Sequence, residues 1–267
     1  MENSSSSAET LEATLESWEA RLARLEQQVA LVSRAAKQLR NAARDGAFGA
    51  AAAAGNALRD NTANLAVLVE QEARLPAVDI PAAFESGAYL AELSAAAAAA
   101  SVTLVQRDGR ITAYPVILHL EARNLGVRVG RKLERRLRPS VLARQLKALQ
   151  QRPNRFNARA FLDRLARAYA VLAPDWRTGE GPLVALAAIH EVLTLLPAAA
   201  ADYPMEEFLV DLLRLDRDPD ARSGRGHRFE LGGSTGTKGA KRLTVYDESG
   251  AQHDYFAIRL AVDSTNA

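Results

Sequence analysis

Nine positions between Leu11 and Leu39 recur at alternating steps of four and three: Leu11, Leu15, Trp18, Leu22, Leu25, Val29, Val32, Ala36 and Leu39. This is a heptad seam, the pattern that keeps one helix face against another helix over several turns. A lone helix carrying it would leave the seam in water, so a second helix is required. Glu19, Arg21 and Glu26 flank the seam where charges usually set the choice of partner. Leu11, Leu15, Trp18, Leu22, Leu25, Val29 and Val32 are therefore the candidate association residues. Ser6 and Glu9 stand at capping-box spacing just before them.

A weaker heptad run follows through Ala47, Ala51, Ala54, Leu58, Asn61, Leu65, Leu68, Glu72 and Leu75. It is out of phase with the first, so the helix either continues through a stutter, long and kinked, or reverses around Asp45-Gly46. Asp-Gly is turn chemistry, and Gly46, Gly49 and Gly55 would each cost about 1 kcal/mol inside a helix. A helical hairpin is the preferred reading, with self-association as the other use of the seam. Pro76 and Pro81 close this helical coiled-coil region, residues 1–81.

Beyond it the periods are mixed, and residues 82–267 read as an α+β domain of antiparallel strands and about four helices. Residues 82–100 form an alanine-rich helix. Strands at 102–106 and 111–121 flank a turn at Asp108-Gly109, and Val127, Val129 and Leu133 mark a third strand. Pro139-Ser140 opens a helix with Leu142, Leu146 and Leu149 on one face. Asn157 caps another, with Phe161, Leu165, Ala168 and Leu172 inward. Residues 183–196 form an apolar helix, Pro204 opens a short one through Phe208 and Leu212, and strands follow at 228–231, 243–246 and 255–262.

The net charge of +2 hides a strong asymmetry. From Arg123 to Arg167 there are fourteen Lys or Arg against Glu134 and Asp163, a local charge of +12 that leaves −10 for the rest. The candidate nucleic-acid-binding residues are Arg128, Arg131, Lys132, Arg135, Arg136, Arg138, Arg144, Lys147, Arg152 and Arg155. Arginine forks match phosphate oxygens, and displaced counterions would drive binding. The helices around Arg152-Pro153-Asn154 have a loose helix-turn-helix layout, but Asp163 between Arg159 and Arg167 would repel phosphate. The competing interpretations are a solvated face, or a dock for acidic protein: residues 1–26 carry six glutamates and two arginines.

Catalytic signals are poor. Gly232, Ser234 and Gly236 match G-x-S-x-G, and Asp247 and His253 follow in hydrolase order, but the serine precedes a strand rather than a helix. The same loop, with Lys238, lacks the Gly-Lys-Ser/Thr of a P-loop. His119, His190, His227 and His253 have no helical ligand pair, so neither metal nor cofactor is expected. A diverged hydrolase would have to use Asp247, Glu248 and His253. The absence of cysteine fits a reducing compartment and excludes thiolate chemistry. With no basic-then-apolar leader and no apolar run of membrane length, the expected location is the cytoplasm.

The residues thus point to a non-enzymatic nucleic-acid-binding assembly protein of bacterial type. The nucleic acid is most simply DNA, the coil sets dimerisation or a partner helix, and the basic segment at 123–167 holds phosphates. The alternative is a scaffold subunit of a larger complex whose arginines dock an acidic partner.

Overall fold

The computed structural model describes residues 10–107, 109–152, 156–178, 180–195, 203–232 and 241–262. The chain divides into two compact units, Met1–Leu93 with Arg138–Val141, and Ser94–Leu137 with Leu142–Ala267. This boundary lies later than residue 81 and brings the start of a later helix into the first unit.

In the first unit, α1 (Leu11–Arg44) and α2 (Phe48–Glu72) form the expected hairpin. The Ser6–Glu9 spacing lies outside the described residues, and the N-cap is Thr10, whose side chain accepts from the Ala13 amide at 3.2 Å. The reversal is set by glycine. Gly46 adopts φ +68°, its amide reaches the Ala43 carbonyl at 3.3 Å, and the Ala47 amide reaches Ala42 at 2.9 Å. Those two bonds make a Schellman close, which a side chain at position 46 would strain.

The helices run antiparallel: Gln28 donates to the Asn61 carbonyl at 2.9 Å, and Arg21 meets Glu72 at 3.6 Å. The second heptad run supplies the inner face of α2, from Ala51 through Ala54, Leu58, Asn61, Leu65 and Leu68 to Glu72. On α1 the expected seam fails at two positions, Val29 and Ala36, while Val32 and Leu39 keep their place. Beyond Leu25, Gln28, Val32, Ala35, Leu39 and Ala42 turn inward, while Ala36 is exposed and Val29 is 51% exposed. A straight helix drifts by about 20° per heptad, so a seven-residue seam rotates off a partner unless the pair supercoils. The structure shows a long paired helix here rather than an established coiled coil. The single alanine-rich helix expected over 82–100 is two, α3 (Ile80–Glu85) and α4 (Ala88–Ala99), separated where Gly87 takes φ +78°.

Two carboxylates organise this unit. Glu92 of α4 accepts the first amides of α1, Leu11 at 2.9 Å and Glu12 at 3.1 Å. Glu12 in turn accepts from the amide and hydroxyl of Ser140 at 2.9 and 2.7 Å, at the start of α5 (Pro139–Gln150). Helix N-termini have unpaired amides and a partial positive charge, so both carboxylates satisfy donors and dipole together.

The second unit opens with an antiparallel meander, β1 (Val105–Arg107), β2 (Arg110–Ala113), β3 (Val116–Glu121), β4 (Gly126–Val129) and β5 (Lys132–Glu134), paired in that order. The strand expected over 111–121 is broken at Tyr114-Pro115, because proline cannot donate to a ladder. After α5 come α6 (Ala158–Leu172), α7 (Leu186–Leu193) and α8 (Met205–Asp216). The apolar stretch at 183–196 starts as β6 (Val184–Ala185), which pairs with the later strand β10. The tail supplies β7 (His227–Gly232), β8 (Leu243–Tyr246), β9 (Gln252–Tyr255) and β10 (Ala257–Val262). These make a β6-β10-β7 sheet and a β8-β9 hairpin.

One core joins α6, α7, α8 and the tail strands through Leu162, Leu165, Ile189, Phe208, Leu212 and Ile258, all fully buried. Leu172, expected inward, is 40% exposed near the end of α6, and Tyr169 is buried in that helix instead. Among the described residues, no helix is long and apolar enough to cross a membrane.

A candidate anion-binding cleft

Much of the basic segment is spent on internal ion pairs. Arg128 of β4 donates to Glu121 of β3 through Nε. Arg131, after Gly130, clasps Glu207 of α8 with Nε at 2.6 Å and a second nitrogen. Arg136 folds back on Glu134, which is only 6% exposed, through Nε at 3.0 Å, Nη2 at 2.7 Å and its own amide at 2.9 Å. These bonds, the Arg136 side chain first, hold the Glu134 carboxyl at about 2 against the opposing effect of burial.

Arg138 reaches Glu12 at 2.8 Å and also pairs with Glu19. This realises the docking of a segment arginine on the acidic first helix. Lys147 donates to the Ser101 carbonyl at 3.1 Å, and Arg144 is exposed on α5. Lys132 and Arg135 are exposed without an ion pair among the described residues, and so is Arg152. Arg155 lies outside the described residues. Among the described candidates, Arg128, Arg131, Arg136 and Arg138 are thus paired with carboxylates of the chain, and Lys132, Arg135 and Arg152 are not.

Of the association residues, Leu11 is buried, Leu15, Trp18, Leu22, Leu25 and Val32 are half-buried, and Val29 is exposed. Asp163, read as a block to phosphate, instead anchors a loop by accepting the Gly224 amide at 2.7 Å.

The hydrolase-like constellation resolves as a turn. Asp247 Oδ1 accepts from the Ser249 amide at 2.9 Å, its hydroxyl at 2.7 Å and the Ala251 amide at 2.9 Å, while Oδ2 meets His253 at 3.1 Å. These bonds, Ser249 first, lower the Asp247 pKa and fix the β8-β9 connection. Glu248 is held by Arg217 at 2.8 Å. Ser234 and Lys238 lie outside the described residues.

What the structure does assemble is a cleft of about 1170 Å³ in the second unit. Its floor is the Tyr114-Pro115 turn between β2 and β3. The cleft is also lined by Gln150 at the end of α5, by Arg152, by Phe156, and by Arg164 near the middle of α6. Asp211 and Arg214 of α8 and its C-cap residue Arg217 complete the lining. Four arginines line it; Arg214 is paired with Asp211 and Arg217 with Glu248 and Asp247, while Arg152 and Arg164 have no ion pair among the described residues. Asn157 caps α6 by accepting the Ala160 amide at 2.9 Å, so the positive end of a long helix also opens here.

The cations lie among rings. Arg214 pairs with Asp211 at 3.1 Å and sits 6.0 Å from the Phe156 centroid. Arg217 lies 5.4 Å from Tyr114, and Arg164 is 4.7 Å from Tyr203. Phe156 stands edge-on to the buried Phe161 at 5.4 Å. Arg214 Nε and Gln150 Nε2 are buried without an acceptor among the described residues. Asp211 is pushed up by burial, against the hydrogen bond from the Tyr203 hydroxyl at 2.9 Å and against Arg214.

A second cavity of about 600 Å³ adjoins through Pro115, Val116, Asp211 and Arg214, and its rim carries the Arg131–Glu207 pair. Of the cleft's basic residues, Arg152 alone was among the sequence candidates. Arg214 and Arg217 escape a charge scan because Asp211, Asp216, Asp218 and Asp220 balance them locally. The aromatic rings carry no local signal. No family model, curated protein or solved structure matches this chain.

Proposed function

We propose that the chain is a nucleic-acid-binding assembly protein that holds phosphates in the Arg152–Arg164–Arg214–Arg217 cleft and associates through its helical hairpin. One observation carries the proposal: Arg152 and Arg164, exposed and without an ion pair among the described residues, join the carboxylate-paired Arg214 and Arg217 on one concave, ring-lined surface. Phosphate oxygens satisfy several guanidinium donors at once, and a polyanion gains further by releasing counterions. The half-buried seam of α1 and the exposed Val29 and Phe48, at 51% and 86%, support association of the hairpin with another helix or a second copy. On this reading Arg128, Arg131, Arg136 and Arg138 are structural.

The test is fluorescence anisotropy with a labelled oligonucleotide across a salt series. Two to four phosphate contacts on a flexible strand give a log–log slope of about −1.4 to −2.8, so a fourfold rise in salt weakens binding about 7- to 50-fold. A flat salt response, or no binding at low salt, removes the proposal. The Arg138–Glu12–Glu19 contact favours the second reading, a scaffold docking acidic helices, because one segment arginine already does so within the chain. That reading predicts no oligonucleotide affinity.

A further inference from the structure

We infer that the occupant of this cleft is a single strand, with bases stacked on Phe156 and Tyr114 while the arginines hold the intervening phosphates. The inference rests on the nucleic-acid reading above and narrows it to one class of ligand. A duplex keeps its bases inside a stiff rod and offers only outward phosphates. Arg152 and Arg164 are exposed, but Arg214 in the same cleft is only 24% exposed at the side chain, deeper than a rod's surface reaches. A single strand bends into a concavity and brings bases with it.

The cleft also presents something for those bases to meet. Phe156 and Tyr114 are both half-buried, and each has a guanidinium 5.4–6.0 Å from its ring. Alternation of rings and arginines is the arrangement that binds single strands without reading sequence, since every base has a π-face. Phe156 is fixed edge-on by Phe161, itself 4% exposed, so its face is set before a ligand arrives. At about 1170 Å³ the cleft exceeds the roughly 300–1,000 Å³ of sites that close around one drug-sized molecule, which suits a short run of nucleotides rather than one.

The experiment compares four labelled ligands of equal length on the full chain: single-stranded DNA, single-stranded RNA, a DNA duplex and an abasic DNA backbone. Phe156→Leu and Tyr114→Leu are then measured with single-stranded DNA, each keeping apolar bulk while removing the ring. The expected result is tighter binding of single strands than of duplex or abasic backbone by more than about 10-fold. Each leucine variant should lose about 5- to 100-fold. Circular dichroism establishes that the variants are folded, and if one is not, the other decides the matter. Equal affinity for both single strands, or a preference for either, supports the inference and identifies the source of the strand.

Equal affinity for single strand, duplex and abasic backbone overturns the inference while leaving the phosphate cleft standing. So does unchanged binding by a folded leucine variant. No binding of any ligand overturns the proposed function, and this inference with it.

Discussion

Replacing Glu12 with glutamine tests whether the basic segment is anchored by the chain's own carboxylates. Glu12 accepts three hydrogen bonds, from the Ser140 amide at 2.9 Å, the Ser140 hydroxyl at 2.7 Å and Arg138 Nε at 2.8 Å. Glutamine keeps one acceptor oxygen and turns an NH₂ group toward the remaining donors. Two charge-assisted bonds at about 1.5–3 kcal/mol each set the ceiling. The Glu12 side chain is 32% exposed, and solvent screening lowers the expected loss to about 2 kcal/mol.

The pH dependence has a definite sign. Burial raises the Glu12 pKa, but Ser140 and Arg138 outweigh it, and the net shift is below the ordinary 4.5. Stability from a depressed carboxylate is present above its unfolded pKa and is lost as pH falls through the folded one. Urea unfolding followed by circular dichroism should therefore show a Glu12→Gln deficit of about 2 kcal/mol near neutral pH that narrows as acid protonates the wild type. A deficit below about 0.5 kcal/mol, or one that stays constant through the acid range, would refute the reasoning.

Three further outcomes follow from the same geometry. A carboxyl NMR titration of Glu134 should give about 2, with the stability it contributes disappearing as pH falls from 4.5 toward that value; a titration at the ordinary value would contradict the Arg136 clasp. Gly181→Ala places a Cβ 2.2 Å from the Tyr169 hydroxyl and 3.0 Å from Trp176 Cβ, so it should destabilise by more than about 2 kcal/mol in thermal melting. Asn157→Ala removes the α6 cap and should cost about 1 kcal/mol in the same assay.

The hairpin was legible because both heptad runs are local, and Asp45-Gly46 has the chemistry of the turn it makes. The drift of α1 was not, because residues four and three apart look alike whether or not two helices supercoil. That choice depends on the partner's phase, and it placed Ala35 inward instead of Ala36. Pro115 splitting a strand was readable locally, from its missing amide donor, whereas residues 184–185 pairing with β10 before α7 begins is a tertiary effect overriding an apolar run.

The charge asymmetry is real in sequence, and several of its members are paired within the fold. Its arginines at 128, 131, 136 and 138 find carboxylates from 2 to 126 residues away. The cleft draws instead on Tyr114, Arg152, Phe156, Arg164, Arg214 and Arg217, which only the fold brings together.

The most direct test contrasts two exposed pairs of cations. Arg152→Glu with Arg164→Glu reverses charge inside the cleft, while Lys132→Glu with Arg135→Glu reverses it on and just after β5. Oligonucleotide affinity, measured at one low salt concentration, should fall about 100-fold or more for the cleft pair and by no more than about threefold for the other. If the strand pair abolishes binding and the cleft pair leaves it intact, phosphates are held elsewhere and the assignment of the cleft is wrong.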